Sequence, residues 1–141
     1  MSTLLVFEKL AESVAARDPG AAAALFSADA FFSIPGPQYL PFNGRRRGRA
    51  EIATFFHELW DNLVDSAVEV REIVARDEHV IVFGAVSHTA RPTGRRFPNE
   101  FCWHLRVEAE QIVSLQVYDD TYAVAEAFGS GPAAPVAGRR S

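Results

Sequence analysis

The chain predicts a single α+β domain, and three observations carry that reading. Helical periodicity dominates the first half of its 141 residues, four consecutive strand-forming segments fill most of the second half, and the punctuation between those segments is short. Strands joined by such short connections pair antiparallel with their neighbours. A chain of this length buries about two-thirds of the surface its unfolded form exposes, enough for one core without staples.

In chain order, Thr3 to Ala16 sets Phe7, Leu10 and Val14 on one helical stripe. Asp18 and Pro19 then supply an N-cap and a first-turn proline for a short second helix ending near Phe26. Ala30 to Ile34, AFFSI, predicts a brief strand, stopped by Pro35, Gly36 and Pro37. These open a loop through Pro41 and Gly44 to Gly48, long enough to serve function. From Arg49 to Val64 a helix is predicted, with Ile52, Phe55, Phe56, Leu59, Trp60 and Leu63 on one broad apolar face. Strands follow at Ala67 to Arg76, His79 to Ala90, Arg95 to Glu108 and Gln111 to Asp120, and Thr121 to Phe128 returns to the helical pattern. The domain thus spans 1–128, and the Gly-, Pro- and Ala-rich stretch from Gly129 to Ser141 is expected to be a disordered tail.

Composition narrows the function classes. The formal charge is −4, and although bases cluster in GRRRGR (Gly44 to Arg49), no aromatic is interleaved there, so a solvated loop is expected and no nucleic-acid partner. No segment approaches membrane-spanning length, and the N-terminus lacks the basic start and long apolar run of a signal peptide. The single Cys102 forms no internal disulfide, and no Cys or His spacing suits a metal. A cytoplasmic protein with no membrane partner, no metal and no cofactor is the expectation.

Candidate chemistry gathers at the junction LQVYDDTYAVAEAFG. Strand alternation puts Val113, Leu115, Val117 and Asp119 on one, drier face and Ile112, Ser114, Gln116, Tyr118 and Asp120 on the other. Asp120 has a sufficient role as the cap of the following helix. Asp119 continues an apolar row. On the preceding strand Phe101, Trp103, Leu105 and Val107 form a second such row, and paired with the first it would build a greasy wall. A carboxylate at that rim either stands in water, shares the capping duty, or loses hydration and titrates closer to neutrality, where it can transfer protons.

Of the histidines, His57 and His79 are expected to face solvent, and His104 the wetter side of the sheet with Cys102, Arg106, Gln116 and Tyr118. His88 stays open, because its strand is apolar on both sides and Gly84 can mark a parity-reversing bulge. It is the candidate proton-relay partner of Asp119. Tyr39 and Asn43 offer hydrogen bonds at the mouth of a pocket, or are turn residues without a ligand.

The order helix, helix, short strand, P-G-P loop, helix and four long strands, closed by PTGRRFPNEF, QIVSLQVYDD and TYAVAEAF, resembles the SnoaL-like group of the nuclear transport factor 2-like superfamily over about residues 3 to 128. The resemblance implies a cone-shaped, curved antiparallel sheet packed on three helices around an internal pocket, and a homodimer formed through the sheet. The residue pattern and the resemblance together give an expected site. Asp119 and His88 would be catalytic, and Trp103, Phe101, Leu105, Val117, Leu115, Tyr39, Phe56 and Trp60 would line a pocket for a hydrophobic or aromatic small molecule. Group members include polyketide cyclases, ketosteroid isomerases, scytalone dehydratase and limonene epoxide hydrolase. Ser33 and Ile34 stand where the steroid isomerases carry their base, and Trp103 where they carry a protonated acid, so steroid isomerisation is disfavoured. The cyclases, with an aspartate near the end of the last strand, resemble the chain best, although Val117 stands where related sequences often carry a glutamate. The expected function is cyclisation or isomerisation of a polyketide-like substrate by Asp119 acting as acid/base. The alternative is a binding or assembly domain of the same fold that turns nothing over.

Overall fold

The computed structural model describes residues 2–36, 40 and 42–129. The expected tail beyond Gly129, and Tyr39, lie outside the described residues.

Helix α1 (Thr3–Ala15) starts at Ser2, whose hydroxyl accepts from the Leu5 amide, and buries Val6, Phe7 and Leu10. Helix α2 (Pro19–Ala24) is capped by Asp18, which accepts from the Ala21 amide at 3.0 Å, with proline in the first turn as predicted. Strand β1 (Phe26–Ile34) begins four residues earlier than AFFSI suggests, with a register irregularity between Phe26 and Phe31. Helix α3 (Gly48–Asn62) presents Ile52, Phe55 and Phe56 to the core. Strands β3 (Leu63–Arg76), β4 (His79–Ala90), β5 (Arg96–Glu108) and β6 (Gln111–Asp119) form the expected antiparallel meander, and α4 (Thr121–Phe128) closes the domain.

GRRR is not a loop. Gly44–Arg47 is β2, antiparallel to β1. At this edge the guanidinium groups lie on aromatic rings: those of Arg45 and Arg47 sit over Phe31 on one face, and that of Arg46 over Phe55 on the other. Edge charges also blunt strand-to-strand aggregation.

The sheet runs β2-β1-β6-β5-β4-β3, six curved strands left unclosed, with four helices among the described residues rather than three. One pairing departs from the antiparallel expectation: β1 lies parallel to β6. Parallel neighbours need a long crossover, and here α3 and the whole meander supply it, so no local pattern near β1 encodes its orientation. The core fills the space between sheet and helices, with Phe26, Phe32, Phe55 and Phe56 in mutual ring contact and Phe32 to Phe55 closest at 4.3 Å. No helix is long and apolar enough to cross a membrane.

Candidate functional site

Between the inner sheet face and α1 and α3 lies a cavity of about 400 Å³. Its wall is apolar apart from Arg17, Ser66, His88, Asn99 and Asp119. Phe56, Trp60, Phe101, Trp103, Leu115 and Val117 line it as the sequence suggests, with Phe56 and Trp60 stacked at 5.1 Å and 26°. Leu105 does not line it. That side chain shares the inward parity but is fully buried lower on β5, where core packing covers it. The cavity opens toward β3, whose inward Val68 and Val70 remain 59% and 46% exposed.

Strand registers explain who faces in. Between β5 and β6 the register slips at Arg106/Val107, so Ile112, not Val113, is the buried partner at that end. Beyond the slip the expected parity holds, and Leu115, Val117 and Asp119 point into the cavity. Between β4 and β5 pairing is unbroken from His79 to Thr89, so Gly84 does not reverse parity, and His88 shares the inward face with Val82 and Val86. The glycine has a different cause: a Cβ there would stand 2.4 Å from the Glu69 carbonyl oxygen and 2.7 Å from the Phe101 ring.

Asp119 stands beside Asn99, which is 6% exposed and buried in the core. Asn99 Nδ2 donates to Asp119 Oδ2 at 3.2 Å, and Asn99 Oδ1 accepts the Asp120 amide at 2.9 Å. Asp119 Oδ1 is buried without a hydrogen-bond partner among the described residues. Burial raises the Asp119 pKa above the ordinary 3.8, the Asn99 hydrogen bond lowers it, and the neighbouring Asp120 charge raises it again. Asp120 does cap α4, accepting from the Ala123 amide at 3.0 Å. Sequence reasoning missed Asn99. Its position inside NEF, on the face shared with Phe97 and Phe101, was the available signal, because a buried amide on an apolar row demands partners.

His88 does not join Asp119. Its Nδ1 lies 2.6 Å from Ser66 Oγ, and Ser66 Oγ also accepts from Arg17 Nη2 at 3.0 Å. Arg17 further donates to the carbonyls of Trp60 (3.3 Å) and Leu63 (3.0 Å) at the C-terminal end of α3. Burial, and then the charges of Arg17 and Arg96, lower the His88 pKa from 6.5 to about 4. Elsewhere, His79 Nδ1 and His104 Nε2 lie 2.9 Å apart on the outer sheet face, so neither is a purely solvated ring. Among the described residues no cluster of three or more His, Cys, Asp or Glu could hold a metal ion.

Comparison with known proteins agrees with this architecture. No match is found among curated proteins. Among solved structures, an NTF2-like protein from Burkholderia xenovorans LB400 is 24% identical over 90% of this chain and 95% of that one, with a TM-score of 0.82. TerC co-crystallized with polyporic acid is 18% identical, covering 89% and 97%, with a TM-score of 0.79. A Catenulispora acidiphila protein with a ketosteroid isomerase-like fold, in complex with trimethylamine, is 18% identical over 86% and 89%, with a TM-score of 0.74. These likenesses concern the fold. The family model of the SnoaL-like domain matches residues 7–115, and the chain therefore belongs to the SnoaL-like domain family.

Proposed function

We propose that this chain is a small-molecule enzyme that works by acid-base chemistry without a cofactor, with Asp119 as the proton carrier. The carrying observation is one carboxyl group in an apolar cavity, one oxygen fixed by Asn99 and the other buried with no hydrogen-bond partner among the described residues. A group in that state is poised to bond a ligand rather than the protein. Its raised pKa brings acid and base forms closer to neutral pH. In the reaction, Asp119 takes a proton alpha to a carbonyl of a hydrophobic or aromatic, polyketide-like substrate, leaving an enolate. It then returns that proton to another atom, which completes an isomerisation or follows ring closure. Phe56, Trp60, Phe101 and Trp103 supply ring faces for such a substrate.

A second reading, a ligand-binding domain without turnover, is favoured by one feature: Asp119 is the sole carboxylate in the described cavity wall. Native mass spectrometry of protein from its own host, followed by incubation of the retained compound in deuterated buffer, separates the two. Alpha-carbon deuteration that requires Asp119 supports the enzyme, and binding without exchange supports the binding domain.

In the same proposal the protein is cytoplasmic, in keeping with its free Cys102, and acts as a homodimer through the outer sheet face.

A further inference from the structure

Two residues of β3, Asp65 and Ser66, oppose the single residue His88 of β4, because pairing passes from Val64↔Thr89 directly to Ala67↔Ser87. The bulge is held open. Asp65 has a φ of 52°, its carbonyl accepts from Arg96, and Arg17, itself at a φ of 52°, reaches across from the α1–α2 turn to the Ser66 hydroxyl. A regular strand would turn Ser66 away from His88; the bulge aims it there.

Donor counting fixes the imidazole. The Ser66 oxygen accepts from Arg17, so its one proton is free to donate, and among the described residues the acceptor within reach is His88 Nδ1. A protonated Nδ1 would instead leave the hydroxyl with two donors and its own proton without a described acceptor. With Nδ1 accepting, the ring proton of neutral His88 sits on Nε2.

We propose that Arg17, Ser66 and His88 form a second polar post in the cavity, in which Arg17 and Ser66 are positioning residues that hold His88 as a neutral Nε2–H donor for a carbonyl or other acceptor oxygen on the ligand. This rests on the cavity being a small-molecule site, as above, and deepens it: the substrate class narrows to apolar compounds bearing an acceptor oxygen at the β3 end and a proton to exchange at the Asp119 end. Depression of the histidine pKa agrees, since an imidazole that titrates near about 4 is uncharged at neutral pH and cannot serve as the cationic half of a relay.

The two tryptophans of the chain, Trp60 and Trp103, both line the cavity, so intrinsic fluorescence reads its occupancy. Acetonaphthone and its carbonyl-free counterpart ethylnaphthalene serve as probes. Acetonaphthone should bind at least about fivefold more tightly, the factor set by one hydrogen bond of typical net strength. The preference should vanish in His88→Phe, shrink in Ser66→Ala and return in Ser66→Thr. In parallel, nitrogen-15 NMR should show His88 as the Nε2–H tautomer, with a several-fold fall in tautomer ratio in Ser66→Ala. Equal binding of the two probes would overturn the post while leaving the cavity a ligand site, and no binding of either would overturn both readings. An Nδ1–H tautomer, or a tautomer ratio indifferent to Ser66→Ala, would reduce the Arg17–Ser66 contact to a cap on α3.

Discussion

Asn99 and Asp119 are locked in one orientation relative to each other: because Asn99 Oδ1 takes the Asp120 amide, only its Nδ2 can meet the Asp119 carboxylate. The amide therefore reads the backbone at the β6–α4 junction and the acid at the cavity wall together. Asn99→Leu, which keeps the forked outline but not the polar atoms, should cost about 1–3 kcal/mol, the range for leaving buried hydrogen-bonding groups unpaired. It should also raise the Asp119 pKa further, since the lost bond favours the charged carboxylate. Thermal unfolding and carboxyl carbon-13 titration check the two effects.

The adjacent aspartates should separate cleanly on substitution. Asp120→Ala removes the α4 cap and should cost about 1 kcal/mol while sparing ligand binding. Asp119→Asn keeps an oxygen that accepts from Asn99 but removes the titrating proton, so exchange activity should disappear with stability preserved or slightly raised. The sign follows from linkage. A carboxyl whose folded pKa lies above its unfolded value makes the fold lose stability as pH rises from about 3.8 through the folded pKa, a loss the Asn variant does not suffer. Reversed roles in activity and melting assays would move the site to Asp120.

For His88 the sign is opposite. Between pH 6.5 and about 4 the unfolded chain holds more protons on this ring than the folded one, so the ring makes stability fall as pH drops through that window. His88→Gln should flatten that part of the curve, and denaturant titrations across the window, on both proteins, measure it. Arg17→Lys retains a charge but not the planar fork that serves Trp60, Leu63 and Ser66 together, and should weaken α3 as well as the bulge.

Much of this site was legible in residue pattern. The parity of Leu115, Val117 and Asp119, the wall residues Phe101 and Trp103, and Asp120 as a cap all follow from alternation and turn chemistry, because those interactions are local. What escaped is what tertiary contact decides. Arg17 looks like an ordinary turn residue until α3 ends beside it, Ser66 needs a bulge that only the register of β4 reveals, and GRRR becomes a strand only when Phe31 and Phe55 lie beneath it. The facing of His88 was undecidable from its strand alone, since Ile81 and Phe83 are as apolar as Val82 and Val86, and only unbroken pairing with β5 settles it.

Gly84 gives a steric test of the cavity wall. Adding one methyl would collide with the Glu69 carbonyl oxygen, a backbone atom that cannot swing aside, and with the Phe101 ring that lines the cavity. Gly84→Ala should cost about 1–3 kcal/mol, as overpacking typically does. Because Phe101 contacts Trp103 at 5.5 Å, it should also change the tryptophan emission of the folded protein.

The proposed homodimer can be tested on the sheet's outer face. Phe83, Cys102 and Tyr118 pair with one another across three strands and form a single outward row, flanked by Ile81, His104 and Gln116 in the next. Phe83 is 43% and Tyr118 56% exposed, so the row presents large apolar area in the middle of the sheet rather than at its edge. Such area, rimmed by polar side chains, suits association of a second copy better than water. Light scattering should report twice 15.5 kDa. Phe83→Glu places a charge at the centre of the row, on the side of the sheet away from the cavity, and should yield a folded monomer whose cavity still quenches on ligand binding. A monomeric unsubstituted protein at micromolar concentration would refute the dimer and make this face a solvated one, while a Phe83→Glu variant that remains dimeric would place the contact elsewhere.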